Sequence, residues 1–172
     1  MPEAIPTVRT ARLTLRAFRH ADLDAYAAMC ADAQVMRHIG DGQTVDRAAA
    51  WRQMAVFNGQ WSLKGCGMWA VEHTQAGVLV GRVGLYGPPH WPALELGWLL
   101  GRDAWGQGLA REAALAAKHW ALDVLGCAQL ISLIQPGNER SVRVAVALGA
   151  RPDGWLALSG QQVQVFRHAG AS

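Results

Sequence analysis

The sequence predicts an α+β fold: a mixed, mostly antiparallel central sheet flanked by helices. Two strand patterns, Met68 to His73 and Val78 to Tyr86, flank Thr74-Gln75-Ala76-Gly77 and read as an antiparallel hairpin. The second half of the chain reads β-α-β-α-β. A hairpin start is a poor fit to a purely parallel, doubly wound sheet, so the mixed arrangement is favoured. At 172 residues and 51% hydrophobic content, with neither a long linker nor repeats, residues 1–172 suit one domain with a substantial core.

Each element has its own signal. Val8 to Ala17 alternates polar and apolar residues and predicts a first strand. Leu23, Tyr26, Ala27 and Cys30 recur at helical spacing and predict a helix from about Asp22 to Ala31. Residues 35–42 read as a loop, after which Asp46 caps a second helix reaching to about Gln60. The hairpin follows, then the proline-rich stretch Gly87 to Pro92, then a strand over Leu94 to Leu100. Its alternation puts Leu94, Leu96, Trp98 and Leu100 on one face and Glu95, Gly97 and Leu99 on the other. An Ala-rich helix from about Gly108 to Leu125, a strand over Ile131 to Gln135 and a helix from Asn138 come next. Two closing strands, Gly154 to Leu158 and Gln162 to Arg167, end the pattern.

Composition narrows the function classes. The formal charge of +3 and pI near 9.1 are mildly basic, and Lys and Arg are scattered, which argues against a nucleic-acid arm. Cys30, Cys66 and Cys127 are widely spaced and form no Cys-x-x-Cys arrangement, so buried reduced thiols are expected in place of a disulfide framework or zinc site. The six histidines show no metal-ligand spacing and are expected to be structural or surface residues, so no metal is predicted. Met1-Pro2-Glu3-Ala4 lacks a basic start leading to an apolar run, and no run approaches membrane-span length. A cytoplasmic protein without membrane or nucleic-acid partners is expected.

The strongest local signal is the passage from the Leu94 strand through Trp105-Gly106-Gln107-Gly108 into the helix. A Gly-x-Gly turn lets the backbone approach a ligand, and a helix opening at Gly108 aims unpaired N–H groups and the positive dipole end at it. That is an anion cradle, with phosphate as its natural guest. Arg102, Arg111, Arg140 and Arg143 cluster around this segment and the turn Pro136-Gly137-Asn138-Glu139-Arg140-Ser141.

Together these segments resemble the GNAT superfamily of N-acetyltransferases, and most closely its ribosomal-protein N-terminal branch. The resemblance is carried by Trp105 to Ala110, Glu112-Ala113, Glu95 to Trp98, Asn138 to Ser141, Leu148-Gly149 and Thr10 to Arg16, and spans nearly the whole chain. It departs at Asp103, where the family pattern commonly has Gln or Arg, so no binding role falls to that side chain. The resemblance implies a sheet that splays into a V at the Glu95 strand, with acetyl-CoA in the gap as co-substrate. Its implied contacts are Trp98, Leu99, Leu100, Trp105, Gly106, Gln107, Gly108, Leu109, Ala110, Arg111, Asn138 and Ser141, including a backbone N–H near Leu99 or Leu100 that polarises the acetyl carbonyl.

Amine acetylation needs a base, a polarised carbonyl and a proton for the departing thiolate. Glu95, with Gly97 leaving room beside it, is the candidate base; Ser141, one turn after Asn138, is the candidate proton donor. The resemblance places the acceptor within residues 35–61, near His38 and Trp51, with Glu95 also touching it. Trp51, Trp61, Trp69, Trp91 and Trp98 are candidate pocket walls, of which one or two are expected to face the cleft. The predicted activity is acetyl-CoA-dependent transfer to a primary amine by direct attack in a ternary complex. The acceptor is a protein N-terminal α-amine or, alternatively, a small-molecule amine or antibiotic. A non-catalytic acyl-CoA-binding regulatory domain is a further alternative, and the oligomeric state is left open, a homodimer included.

Overall fold

The computed structural model describes residues 4–170; the start of the N-terminal segment, residues 1–3, lies outside them. In chain order the elements are β1 (Val8–Arg9), β2 (Leu13–Arg16), α1 (Leu23–Cys30), α2 (Ala33–Met36), α3 (Arg47–Lys64), β3 (Met68–His73) and β4 (Val78–Tyr86). There follow β5 (Leu94–Leu100), α4 (Leu109–His119), β6 (Leu130–Ile134), α5 (Glu139–Ala147), β7 (Arg151–Leu158) and β8 (Gln161–His168).

Eight strands form one open sheet in the order β1-β2-β3-β4-β5-β6-β8-β7. Every neighbouring pair is antiparallel except β5 and β6. Those two strands meet only at Leu94↔Leu130 and Glu95↔Ile131. Beyond that point β5 stays with β4 as far as Gly81↔Leu100, while β6 stays with β8 as far as Ile134↔Gln164. Each strand follows its own antiparallel partner, and the sheet opens into the V that the resemblance implies.

Alternation along the central strands supplies two cores, one on each face. Val83, Leu85, Leu96 and Leu100 pack against Leu109, Ala113, Ala114 and Ala117 of α4. The run of alanines lets α4 lie close to the sheet, which sets its N-terminus beside the open end of the V. Trp120 continues this core, its ring edge-on to Trp61 at 5.2 Å and to Trp69 at 5.3 Å. On the opposite face Met68, Ala70 and Leu99 are covered by Tyr26 of α1 and Met54 and Phe57 of α3.

Several boundaries differ from the sequence expectations. The expected strand over Val8 to Ala17 is two short strands, because Thr10 turns the chain. Its N–H donates to the Leu13 carbonyl at 2.9 Å, and its hydroxyl is held by Glu112 of α4 at 2.6 Å. The expected loop over 35–42 begins in α2, capped by Asp32, whose carboxylate accepts from the Gln34 N–H at 2.9 Å. The second long helix runs to Lys64 and stops at Gly65, whose φ of +68° is the left-handed C-cap conformation. The Ala-rich helix is α-helical only to His119 and widens into a π-helical turn over Trp120–Val124. β7 begins at Arg151, earlier than expected, and tolerates Pro152 because it lies at the edge of the sheet. Cys30 and Cys66 are buried as expected, whereas Cys127 is partly exposed.

Candidate functional site

The phase of the β4–β5 ladder decides which backbone groups face the V. The Gly101 N–H donates to Val80 O at 3.0 Å. Antiparallel hydrogen-bonded pairs recur every second residue, so Arg82–Leu99, Gly84–Gly97 and Tyr86–Glu95 also bond directly. The amides and carbonyls of Leu96, Trp98 and Leu100 therefore point away from β4, into the gap. Two of those carbonyls are taken: Ser132 Oγ donates to Leu96 O at 2.7 Å, and Trp105 Nε1 donates to Leu100 O at 2.9 Å. The Trp98 and Leu100 N–H groups remain aimed at the opening. Of the two candidate donors named from sequence, the ladder commits Leu99 to Arg82 and leaves Leu100.

Ser132 replaces, with its side chain, the interstrand bond that Leu96 loses where β5 and β6 part. His168 Nε2 lies 2.9 Å from the Ser132 hydroxyl. Because that hydroxyl donates to Leu96, the ring nitrogen is the donor to it. Burial, assisted by the charge of Lys118, pushes His168 down to about 4, so the ring is neutral near pH 7.

A cavity of about 810 Å³ occupies the open end of the V between α4 and α5. It is lined by Trp98, Leu99, Leu100, Trp105, Gly106 and Gly108 to Arg111, and by Asn138, Arg140, Ser141 and Arg143 across the gap. Gly106 and Gly108 adopt φ of +73° and +76°, the left-handed region that glycine enters without Cβ strain. A Cβ at Gly106 would meet no protein atom within 4 Å, so that face of the turn is open for a guest. The turn is held from behind. Arg12 donates to the Gln107 carbonyl at 2.9 Å and to the Glu112 carboxylate at 2.7 Å. The Arg140 guanidinium lies 3.7 Å from the centre of the Trp105 ring and spans the two walls. Arg37, Arg111, Arg140 and Arg143 line this cavity against one carboxylate, Glu139. Its chemistry is that of a polyanion site with an apolar floor.

A second cavity of about 640 Å³ lies beyond the point where the strands part. Its walls include Gln53, Phe57, Arg82, Tyr86, Trp91, Glu95 and Gly97, with the turn after β7 on the far side. His38, Ile39, Trp98, Asn138 and Ser141 line both cavities and mark where they join. Asn138 Oδ1 accepts from the Ser141 N–H at 3.3 Å, capping α5. The cap fixes the α5 opening at the junction, with Ser141 on its first turn.

Glu95 faces the second cavity. Trp91 Nε1 donates to its Oε2 at 2.7 Å, while Oε1 lies over Gly97, where an added Cβ would stand 3.8 Å away. Desolvation pushes Glu95 up to about 7, against the opposing pull of the Trp91 hydrogen bond, the Arg82 charge and the Leu133 amide. A carboxyl group balanced near neutrality is suited to taking a proton there. His38 at the junction is lowered by burial and by Arg37 beside it, which favours the neutral ring.

Residues 12–151 match the family model described as acetyltransferase (GNAT) domain. The chain belongs to the GNAT acetyltransferase family. Among solved structures it is similar to an acetyltransferase from Agrobacterium tumefaciens, at 32% identity and TM-score 0.85, covering 98% of this chain and 96% of that one. At 16% identity it shares the fold of RimL, a ribosomal L7/L12 α-N-protein acetyltransferase solved in complex with coenzyme A. The TM-score is 0.78 and 98% of each chain is covered. Among curated sequences, a stretch of 87 residues is 31% identical to the uncharacterized protein YkkB of Bacillus subtilis, spanning 49% of this chain and about half, 51%, of that one.

Against this GNAT framework the sequence-derived site residues divide cleanly. Glu95, Ser141, Asn138, His38 and the glycine turn come together around the two joined cavities. Trp51 does not: it is 50% exposed on α3 and lines neither cavity, because its place in the helical turn faces solvent, while Gln53 turns inward and Arg52 reaches the rim of the second cavity. Gln107 also lies outside both linings, its side chain folded back onto the Asp103 carbonyl at 2.7 Å. Arg102 leaves the basic set, paired with Asp32 at 2.5 Å. Of the candidate tryptophans, Trp91 and Trp98 face the second cavity, while Trp61 and Trp69 belong to the core. Sequence reasoning missed Arg82 and Ser132. Arg82 carried a signal, being the one charged residue in the apolar run of β4; Ser132 carried none. Among the described residues no helix is long and apolar enough to cross a membrane, and no cluster of metal-binding side chains is found.

Proposed function

We propose that this protein transfers an acetyl group from acetyl-CoA to the primary amine of a small molecule or of a chain N-terminus, by direct attack in a ternary complex. The observation that carries this reading is the junction itself: a cationic cavity with a glycine turn and helix start meets a cavity holding a near-neutral carboxylate, at Trp98, Asn138 and Ser141. The residues fit acetyl-CoA, because the first cavity offers open amides at left-handed glycines and an excess of arginine. When bound, acetyl-CoA supplies an activated thioester.

In this reading the amides from Gly106 to Ala110 hold the pyrophosphate at the α4 N-terminus. Arg111, Arg140 and Arg143 add positive charge around it. The Leu100 N–H, freed by the ladder phase, donates to the acetyl carbonyl oxygen and stabilises the charge that develops there. Glu95 takes the proton from the acceptor ammonium at Oε1, with Oε2 fixed by Trp91. Ser141 Oγ–H gives a proton to the departing sulfur as the C–S bond breaks, and takes back the proton that the attacking nitrogen loses on becoming an amide. Trp98 and His38 close the junction against bulk water.

Calorimetry with CoA, ATP and NAD, paired with thiol release from acetyl-CoA across primary amines and peptides, tests the reading. CoA-selective binding and amine-dependent thiol release are expected. Binding without release for any amine would leave an acyl-CoA-binding regulatory domain, and absence of CoA binding would remove both.

A further inference from the structure

The second cavity holds a cation, Arg82, that the transfer steps above bring into contact with no part of the acceptor. Arg82 projects from β4 on the same face as Glu95. Cross-strand pairs on this face run Arg82↔Leu99, Gly84↔Gly97 and Tyr86↔Glu95. The two functional side chains therefore stand at opposite ends of a floor whose middle is a pair of glycines. That span is about 13 Å along the strand at ~3.3 Å per residue, before either side chain reaches inward. The Met68 side chain lies over this floor, its Cε 3.2 Å from where a Gly97 Cβ would be.

Arg82 makes no direct ion pair among the described residues; Glu95 feels its charge only at a distance. A guanidinium carries five N–H donors. Here Nε donates to Tyr26 Oη at 3.1 Å and Nη1 contacts Met68 Sδ at 3.8 Å, with Phe57 stacked 5.1 Å away. Tyr26 is a neutral partner: its own hydroxyl donates to Gln53 Oε1 at 2.8 Å, and burial pushes its ionisation up to about 12. The carboxylates that line the cavity are Asp41 and Glu95, and neither forms an ion pair with Arg82 among those found in the described residues. Arg52, at the cavity rim, adds charge of the same sign. A half-buried guanidinium stacked on an aromatic ring, with free N–H groups and no carboxylate in direct contact, is a receptor for a carboxylate, whose two oxygens match its planar fork.

We propose that the acceptor is an amine that also carries a carboxylate, which Arg82 binds while the nitrogen is presented to Glu95. This assignment rests on the transfer reading above and narrows it to one substrate class. The carboxylate belongs either to a free amino acid or to an acidic side chain near a peptide N-terminus. The length of the glycine floor sets the separation between the two groups.

The test compares acceptors that differ only in charge: α- and ω-amino acids of graded length against their carboxamides, and peptides beginning with Asp or Glu against Asn or Gln. Wild type is expected to favour the acids by about 10- to 100-fold in kcat/KM, the range of a charge-assisted contact. Whether free amino acids or acidic peptides show the preference identifies the source of the carboxylate. Arg82→Met should abolish the preference with CoA affinity unchanged, and Arg82→Lys should keep part of it. If Arg82→Met loses CoA binding through misfolding, wild type and Arg82→Lys decide. Equal turnover of acids and amides by wild type overturns the Arg82 assignment and leaves amine acetylation standing. Carboxylates that bind the CoA complex in an Arg82-dependent manner without thiol release would sink the transfer reading and retain the site; neither binding nor release overturns both.

Discussion

The two cavities on either side of the V are built by different means. The cavity we assign to the cofactor joins main chain within residues 98–111, namely two left-handed glycines, the first turn of α4 and one edge of β5, to side chains of α5 and of residues 34–39 across the gap. The cavity we assign to the acceptor draws its walls from α3, β4, β5, β6, the proline-rich loop and the turn after β7. Backbone amides recognise a phosphate wherever the chain takes the required conformation, so one short segment suffices. Recognition of a particular amine needs charge and shape placed from several directions, and only packing can bring those groups together.

That contrast can be broken most sharply at Glu95. Glu95→Gln should lower kcat near neutral pH by about 10²- to 10⁴-fold, the usual contribution of a general base, while CoA affinity measured by calorimetry holds. In wild type the rate should fall as pH drops through about 7, where the carboxylate protonates. Stability should move the opposite way. The folded-state pKa is raised, so the stability Glu95 contributes is present below its ordinary value near 4.5 and is lost as pH rises through about 7. The melting temperature of Glu95→Gln should therefore exceed that of wild type at pH 8.5 by more than at pH 4.5. A Gln variant with the wild-type rate profile would exclude Glu95 as base.

Ser141 tests the junction between the two halves. Ser141→Ala should reduce kcat by about 10- to 1000-fold with a smaller change in CoA binding. If kcat stays within about twofold, the hydroxyl serves only the first turn of α5. On the cofactor side, Gly108→Val forces a β-branched residue to φ +76°. CoA affinity should weaken by about 5- to 30-fold, the penalty of ~1–2 kcal/mol for an L-residue in that region. Unchanged affinity in a folded variant would remove the cradle from the site. The smallest effect is expected at Trp51, which the sequence favoured and the fold turns outward. Trp51→Ala should leave acceptor KM within about twofold, whereas Gln53→Ala, one turn position inward, should raise it.

How much of this was legible beforehand follows the same division. The glycine turn and the strand ahead of it are contiguous in the chain, and the Asn138 cap is local to the start of its own helix, so the geometry of each is a property of local backbone preference. The assignment of Leu96, Trp98 and Leu100 to one face needed only the two-residue repeat of a strand. Trp51 failed because helical position alone does not say which side of α3 meets the cleft; that depends on how α3 lies against β3 and α1. The strand break at Thr10 failed for a similar reason, since Glu112, 102 residues away, holds the turn.

By itself the sequence determined the α+β class and most of the elements, and it singled out the glycine turn, Glu95 and Ser141 as candidates, because each of those signals rests on a short local stretch of chain. The tertiary structure alone decided which β5 amide is free, that Ser132 pins the diverging strands, and that Arg82 shares a glycine-floored face with Glu95. These depend on ladder phase and cross-strand register, which hydrogen bonding between distant segments sets and no local propensity encodes.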